Sequence, residues 1–210
     1  MSQTKPDKFK STSSVNLMPM IGKEVHKYAG QSDADIWQSY LSGDDDALIF
    51  IYNNYVDRLL RFGLQFAPRE MVKDSIQDLF LNLKNRRKKR TLVQRLTPYL
   101  YKAIYRIIKS KLERHKNLIT SDGLDQIKQW NIHVSEEINL IRQEHRLEQS
   151  KHLQNSMNEL SEKQRQAVLL FYYEGLTHQE IADIMGLRNK SSVRKLIYRA
   201  LDSLKRYFDE

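Results

Sequence analysis

Between Thr177 and Leu204 the chain spells out two helices that must meet at a fixed turn. Thr177 can cap a helix whose third residue, Glu180, reaches back to the capping backbone. Ile181, Ala182, Ile184 and Met185 give that helix one short apolar face, and Gly186 supplies a tight turn after it. A second helix is expected from near Ser191, with Val193, Ile197, Ala200, Leu201, Leu204 and Phe208 at helical spacing and facing inward. Arg194, Lys195, Tyr198 and Arg199 fall on a different face of the same helix. A short capped helix, a glycine turn and a basic amphipathic helix make a helix-turn-helix, whose second helix can lie in a major groove. Lys190 and Ser192, at the start of that helix, are further candidates for DNA contact. Upstream, Ser161 reads as a cap, Ala167, Val168, Phe171 and Tyr172 as one buried face, and Gly175 as a stop.

The rest of the chain reads the same way. No segment alternates over a strand length, and Gly (7) and Pro (4) are scarce among 210 residues, so the fold class is all-α. Two helical blocks, 32–116 and 150–210, flank a weaker acidic stretch, 117–149, expected to be a flexible linker that turns helical near Ser135. In the first block Ser32 or Asp33 starts a short helix, and Ser42 to Asp46 breaks it. Ala47, Phe50, Ile51, Tyr55, Leu59 and Phe62 then form a stripe, which Pro68 is expected to close. Val72, Ile76, Leu79, Phe80 and Leu83 form the next stripe. Leu100, Ile104, Ile107, Ile108 and Leu112 form a third, after Pro98 in a first helical turn. Residues 1–31 have no continuous apolar run and read as a flexible polar tail rather than a secretory signal.

Charge separates the blocks further. The whole chain carries +9, while residues 86–116 alone carry +11. A tract that dense on a helix-turn-helix protein points to phosphates. Arg86, Arg87, Lys88, Lys89 and Arg90 form its loop, and Lys102, Arg106 and Lys109 continue along the next helix. Tyr99, Tyr101 and Tyr105 are interleaved with these cations, which suits bases stacking along a single strand, with one or two of the tyrosines expected to be core instead. On the preceding helix the apolar stripe leaves Asp74, Gln77, Asp78, Leu81 and Asn82 outward, a polar face suited to a partner bearing Arg or Lys.

There is no Cys, which removes disulfides, thiol chemistry and Cys-based zinc sites. His115, His133, His145, His152 and His178 are scattered without metal-ligand spacing, so no catalytic or metal site, cofactor or small-molecule substrate is expected. No run approaches the ~18 apolar residues of a membrane span.

The motifs carry a resemblance. Leu160-Ser-Glu-Lys-Gln-Arg, Tyr172-Tyr-Glu-Gly-Leu-Thr and Glu180-Ile-Ala-Asp-Ile-Met-Gly resemble region 4 of extracytoplasmic-function sigma factors. Trp37 to Tyr55, Asp74 to Leu83 and Pro98-Tyr-Leu-Tyr-Lys-Ala-Ile-Tyr-Arg resemble region 2 of the same family, and the Tyr-Leu-Tyr and Leu-Ile-Tyr-Arg-Ala-Leu forms look most like Bacteroidetes versions. The resemblance implies two helical domains that bind core RNA polymerase through its beta-prime clamp and beta flap. It further implies recognition of the −10 and −35 promoter elements, action in the cytoplasm without catalysis, and control by a membrane-anchored anti-sigma factor. Two departures stand out. The turn Gly186 to Arg194 is one residue longer than the common form, and the loop Asn85 to Thr97 is unusually basic. A helix-turn-helix repressor or activator acting apart from polymerase is the competing expectation. A response regulator would need an α/β receiver with strand runs, which residues 32–116 lack.

Overall fold

A computed structural model describes residues 27–118 and 156–209. Among them every regular element is helical: α1 (Asp33–Leu41), α2 (Asp45–Gly63), α3 (Arg69–Asn85), a 3-10 turn (Arg87–Lys89), α4 (Leu96–Leu118), α5 (Glu162–Val168), α6 (His178–Met185) and α7 (Lys190–Asp209). The linker positions 119–155, including the helix expected near Ser135, lie outside the described residues, as do residues 1–26 of the tail and the side chain of Phe208.

Side-chain caps set the helix starts. Ser32 accepts from the Asp35 backbone at 3.2 Å to open α1, and Asp44 accepts from Asp46 at 3.0 Å to open α2. Asp44 also takes a proton donor from Lys27 and another from Tyr28, which hold its carboxyl at about 2. The second helix ends at Gly63 rather than at Pro68. Residues 64–67 form a turn, and Pro68 instead precedes α3, where a missing N–H costs nothing. Gly63 sits where α2 meets α3 and α4: an added Cβ would lie 2.4 Å from Val72 Cγ1 and 3.0 Å from Ile108 Cδ1.

The apolar stripes bury as their spacing requires. Ala47, Ile51, Tyr55, Leu59 and Phe62 of α2 face Val72, Ile76, Leu79, Phe80 and Leu83 of α3 and Leu100, Ile104 and Ile108 of α4. Ile107 and Leu112 are only half-buried. Trp37 and Tyr40, both fully buried, lock α1 onto this bundle, their rings 4.7 Å apart.

In the second block α5 runs into a π turn, Leu169–Tyr173. The extra residue of that turn rotates Tyr172 and Tyr173 out to 56% and 73% exposure, correcting the expectation that Tyr172 packs inward. Gly175 then follows at φ +62, and Thr177 opens α6. Ile181, Ala182, Ile184 and Met185 bury against Val193 and Ile197 of α7. Leu201 is a second correction: at 38% exposure it lies at the edge of the stripe rather than in it. The two blocks share one apolar cluster, because α6 packs directly on α4.

Candidate nucleic-acid interface

The helix-turn-helix is held by local hydrogen bonds. Thr177 and Glu180 close a reciprocal capping box: Glu180 Oε2 accepts from the Thr177 backbone and hydroxyl, each at 2.8 Å, and Thr177 accepts from the Glu180 backbone. Gly186 ends α6 at φ +64, a conformation that costs other residues about 1 kcal/mol. Asn189 then caps α7, its side chain accepting from the Ser192 backbone at 3.0 Å and meeting the Ser192 hydroxyl at 3.1 Å. Ser192, half-buried, is therefore engaged in the cap, whereas Lys190 is exposed. Val193, Ile197 and Ala200 are buried beneath α7, and Arg194, Lys195, Tyr198 and Arg199 are exposed above them, Tyr198 at 72%. Two arginines and a lysine on one solvent face, with a ring between them, can reach both phosphates and guanine edges.

Sequence reasoning passed over Arg165. It is buried and donates to the carbonyls of Met157, Asn158 and Leu160 at 3.3, 3.3 and 2.9 Å, fastening the turn before α5. Burial lowers its pKa, and the three carbonyls compensate its charge. No periodic pattern marks such a residue, because its partners are backbone atoms.

The basic loop divides into two groups. Arg86 and Lys88 are exposed. Arg87 is half-buried: it pairs with Asp45 and lies 5.1 Å from the centre of the Tyr40 ring. Arg90, also half-buried, donates to the carbonyl of Asn82 at 3.3 Å. The side chain of Lys89 lies outside the described residues. The far end of the loop is pinned by Trp37 Nε1 donating to the Thr91 carbonyl at 2.9 Å, by the Leu96 backbone donating to Asp33 at 2.7 Å, and by Tyr55 and Thr97 hydroxyls 3.0 Å apart. Arg87 and Arg90 therefore fasten the loop, Arg95 pairs with Glu180 of α6, and Arg86 and Lys88 point to solvent.

Along α4, Arg106 and Lys109 are exposed and Lys102 is half-buried. Tyr99 stacks edge-on against Trp37 at 5.0 Å, and Tyr101 is fully buried against Phe62. Tyr105 is half-buried beside Phe66, at 5.3 Å. On α3, Asp74, Gln77 and Asn82 are exposed and Leu81 is half-buried. Asp78 is half-exposed and paired with Lys111 of α4 at 2.7 Å, so the carboxylate expected to be free already has a partner in its own fold.

Among the described residues no group of His, Asp or Glu is arranged to hold a metal ion, and none of the described helices is long and apolar enough to cross a membrane.

Residues 151–204 match the family model of Sigma-70, region 4. No curated protein matches the sequence significantly. Solved structures share the fold. CnrH, in complex with the cytosolic domain of CnrY, is 18% identical, with 84% of this chain and 97% of that one covered at a TM-score of 0.55. The sigma factor RpoE of Bartonella quintana, in complex with the anti-sigma factor NepR, is 19% identical, with 75% and 94% covered at a TM-score of 0.57. The chain thus carries a match to sigma-70 region 4 over residues 151–204 and shares the helical fold of these solved proteins.

Proposed function

We propose that the 150–210 domain reads the −35 element through α7, and that the 32–116 domain binds core polymerase through the outer face of α3. The same domain holds the −10 element through the basic loop and α4. The observation that carries this reading is the outer face of α7, where Arg194, Lys195, Tyr198 and Arg199 stand exposed over a buried stripe. Arg86, Lys88, Lys102, Arg106 and Lys109 supply a positive track for the downstream strand, and Tyr105 lies beside it. Asp74, Gln77 and Asn82 offer the clamp a polar face, with Leu81 at its centre and Asp78 exchanging Lys111 for a cation of the polymerase.

Each task is binding, so the protein acts in the cytoplasm without covalent chemistry of its own. The partners of CnrH and RpoE support an anti-sigma factor as a further partner here. Run-off transcription from a genomic library with purified core polymerase tests the reading. Added protein should direct initiation at a defined set of promoters. A repressor or activator acting apart from polymerase would bind DNA and leave core enzyme without promoter choice.

A further inference from the structure

Two neighbouring carboxylates open α2, and each is held by a different part of the chain. Asp44, the cap, accepts from the Asp46 backbone through Oδ1. Its other oxygen accepts from Lys27 Nζ at 2.8 Å and from the Tyr28 hydroxyl. Asp45, the next residue, pairs with Arg87, which begins the 3-10 turn of the basic loop. Tyr28 precedes α1 yet is only 1% exposed, its ring 5.4 Å from that of Phe50 on α2. Burial raises the pKa of its phenol, and the bond to Asp44 adds to the rise, so the hydroxyl keeps its proton and donates. Gln31 closes the turn around it: its backbone donates to the Tyr28 carbonyl at 3.1 Å and its side chain to the Lys27 carbonyl at 2.9 Å.

The corner between α1 and α2 is tight. Gly43 takes φ +108 and donates its N–H to Tyr40 at 3.2 Å, and the Asp44 N–H donates to Ser39 at 3.1 Å. Arg87 rests on this corner. A Cβ added to Gly43 would stand 3.9 Å from its Nη1, and its guanidinium lies 5.1 Å from the centre of the Tyr40 ring. The buried Nε of Arg87 has no hydrogen-bond partner, so Asp45 holds the guanidinium through a terminal nitrogen. The Asp45 side chain is itself 63% exposed, so its direction depends on the backbone of the corner rather than on packing around it.

We propose that Tyr28 is a positioning residue for the basic loop: by holding Asp44 it fixes the corner from which Asp45 holds Arg87, and so sets where Arg86 and Lys88 stand for a nucleic-acid strand. Lys27, 55% exposed, adds a solvent-screened contact to the same oxygen, so the buried phenol is the main anchor. A hydroxyl donating to a carboxylate belongs to the stronger class of hydrogen bonds, which suits that task. Tyr28 itself touches no DNA. That the loop meets the −10 strand rests on the function proposed above; the link from Tyr28 to the loop does not.

Tyr28→Phe keeps the buried ring and removes the donor. Asp44→Asn keeps an oxygen to cap Asp46 and removes the charge, which gives a second, independent cut of the same link. Nuclear magnetic resonance of the full chain follows the backbone amides of residues 86–90 and the Nε–H of Arg87. Both variants should displace these signals, as Asp45→Asn does, while circular dichroism keeps the parental helicity. Affinity of the holoenzyme for a single-stranded −10 oligonucleotide should fall about threefold or more in each, as expected when the competent loop arrangement ceases to be the major one. The salt slope should stay parental, because the same cations meet phosphates once the strand is bound. Tyr28→Phe/Asp45→Asn should bind no more weakly than Asp45→Asn alone, because both substitutions cut one chain of contacts. Loop signals at their parental positions in Tyr28→Phe and Asp44→Asn overturn the proposal. Additive losses in the double variant overturn it too, since Tyr28 would then act on α2 alone. Displaced loop signals with unchanged strand affinity uphold the positioning and overturn the assignment of the loop to the −10 strand.

Discussion

The indole N–H of Trp37 donates to the carbonyl of Thr91 at 2.9 Å, across 54 positions of sequence, and ties the basic loop to a fully buried side chain of α1. Trp37→Phe keeps an aromatic core and removes this bond. The cost should be about 1–3 kcal/mol, from the missing hydrogen bond and the volume the smaller ring leaves. Urea unfolding measures it. Hydrogen exchange should show faster opening at residues 91–96, and a variant with parental stability and exchange there would remove the bond from the loop's support.

The cations of that loop should separate in a salt titration. Arg86→Gln and Lys88→Gln should each make the log–log salt dependence of promoter binding by the holoenzyme shallower, by ~0.9 for each phosphate the side chain had neutralised, with unfolding unaffected. Arg87→Gln should instead lower stability, because it removes the partner of Asp45 and the cation beside Tyr40 while leaving the slope nearly unchanged. Equal slopes for all three variants would mean that the division by burial does not govern DNA contact.

Much of this fold is legible in local sequence. Ser32, Ser161 and Thr177 cap helices, Gly186 takes the left-handed turn, and the stripes of α2 and α3 bury, because capping and helical periodicity are short-range rules. What was not legible has identifiable causes. A π turn displaced Tyr172 from its helical phase. Asn189 caps α7 through its contact with the Ser192 backbone, a role that the helical stripe does not mark. The roles of Arg87, Arg90 and Arg165 depend on partners that no spacing reveals, and a dense basic run conceals which of its members are spent on the fold. The pair Arg58–Glu174 joins residues 116 apart, beyond any periodic signal.

Gly63 offers a test of close packing. It has ordinary helical backbone, so Gly63→Ala would by propensity alone gain up to about 1 kcal/mol. The new methyl, however, would stand 2.4 Å from Val72 Cγ1, and forcing a well-packed core apart costs about 1–3 kcal/mol. The clash should win, giving net destabilisation on urea unfolding. Adding Val72→Ala removes the obstructing carbon, so the double variant should be less unstable than the sum of the single effects. Strict additivity would show that the helices shift apart without strain.

The final prediction concerns sequence reading by α7. The cap at Asn189 and the stripe Val193, Ile197 and Ala200 fix the rotation of this helix, and Arg194 and Tyr198 stand one turn apart on its exposed side. Arg194→Ala should lose discrimination at one base pair of the −35 element, by about 1–3 kcal/mol if its guanidinium spans a guanine. Tyr198→Ala should alter preference at a neighbouring position, through loss of a large exposed ring. Leu201→Ala, at the edge of the same helix, serves as the control and should change affinity little at any sequence. Binding of each variant to a panel of single-base −35 substitutions is the measurement. Loss confined to one or two positions identifies base readout. A uniform loss across the panel assigns the residue to phosphate contact, and losses for Leu201→Ala exceeding those for Arg194→Ala would place the reading face about two turns further toward the C-terminal end of the helix.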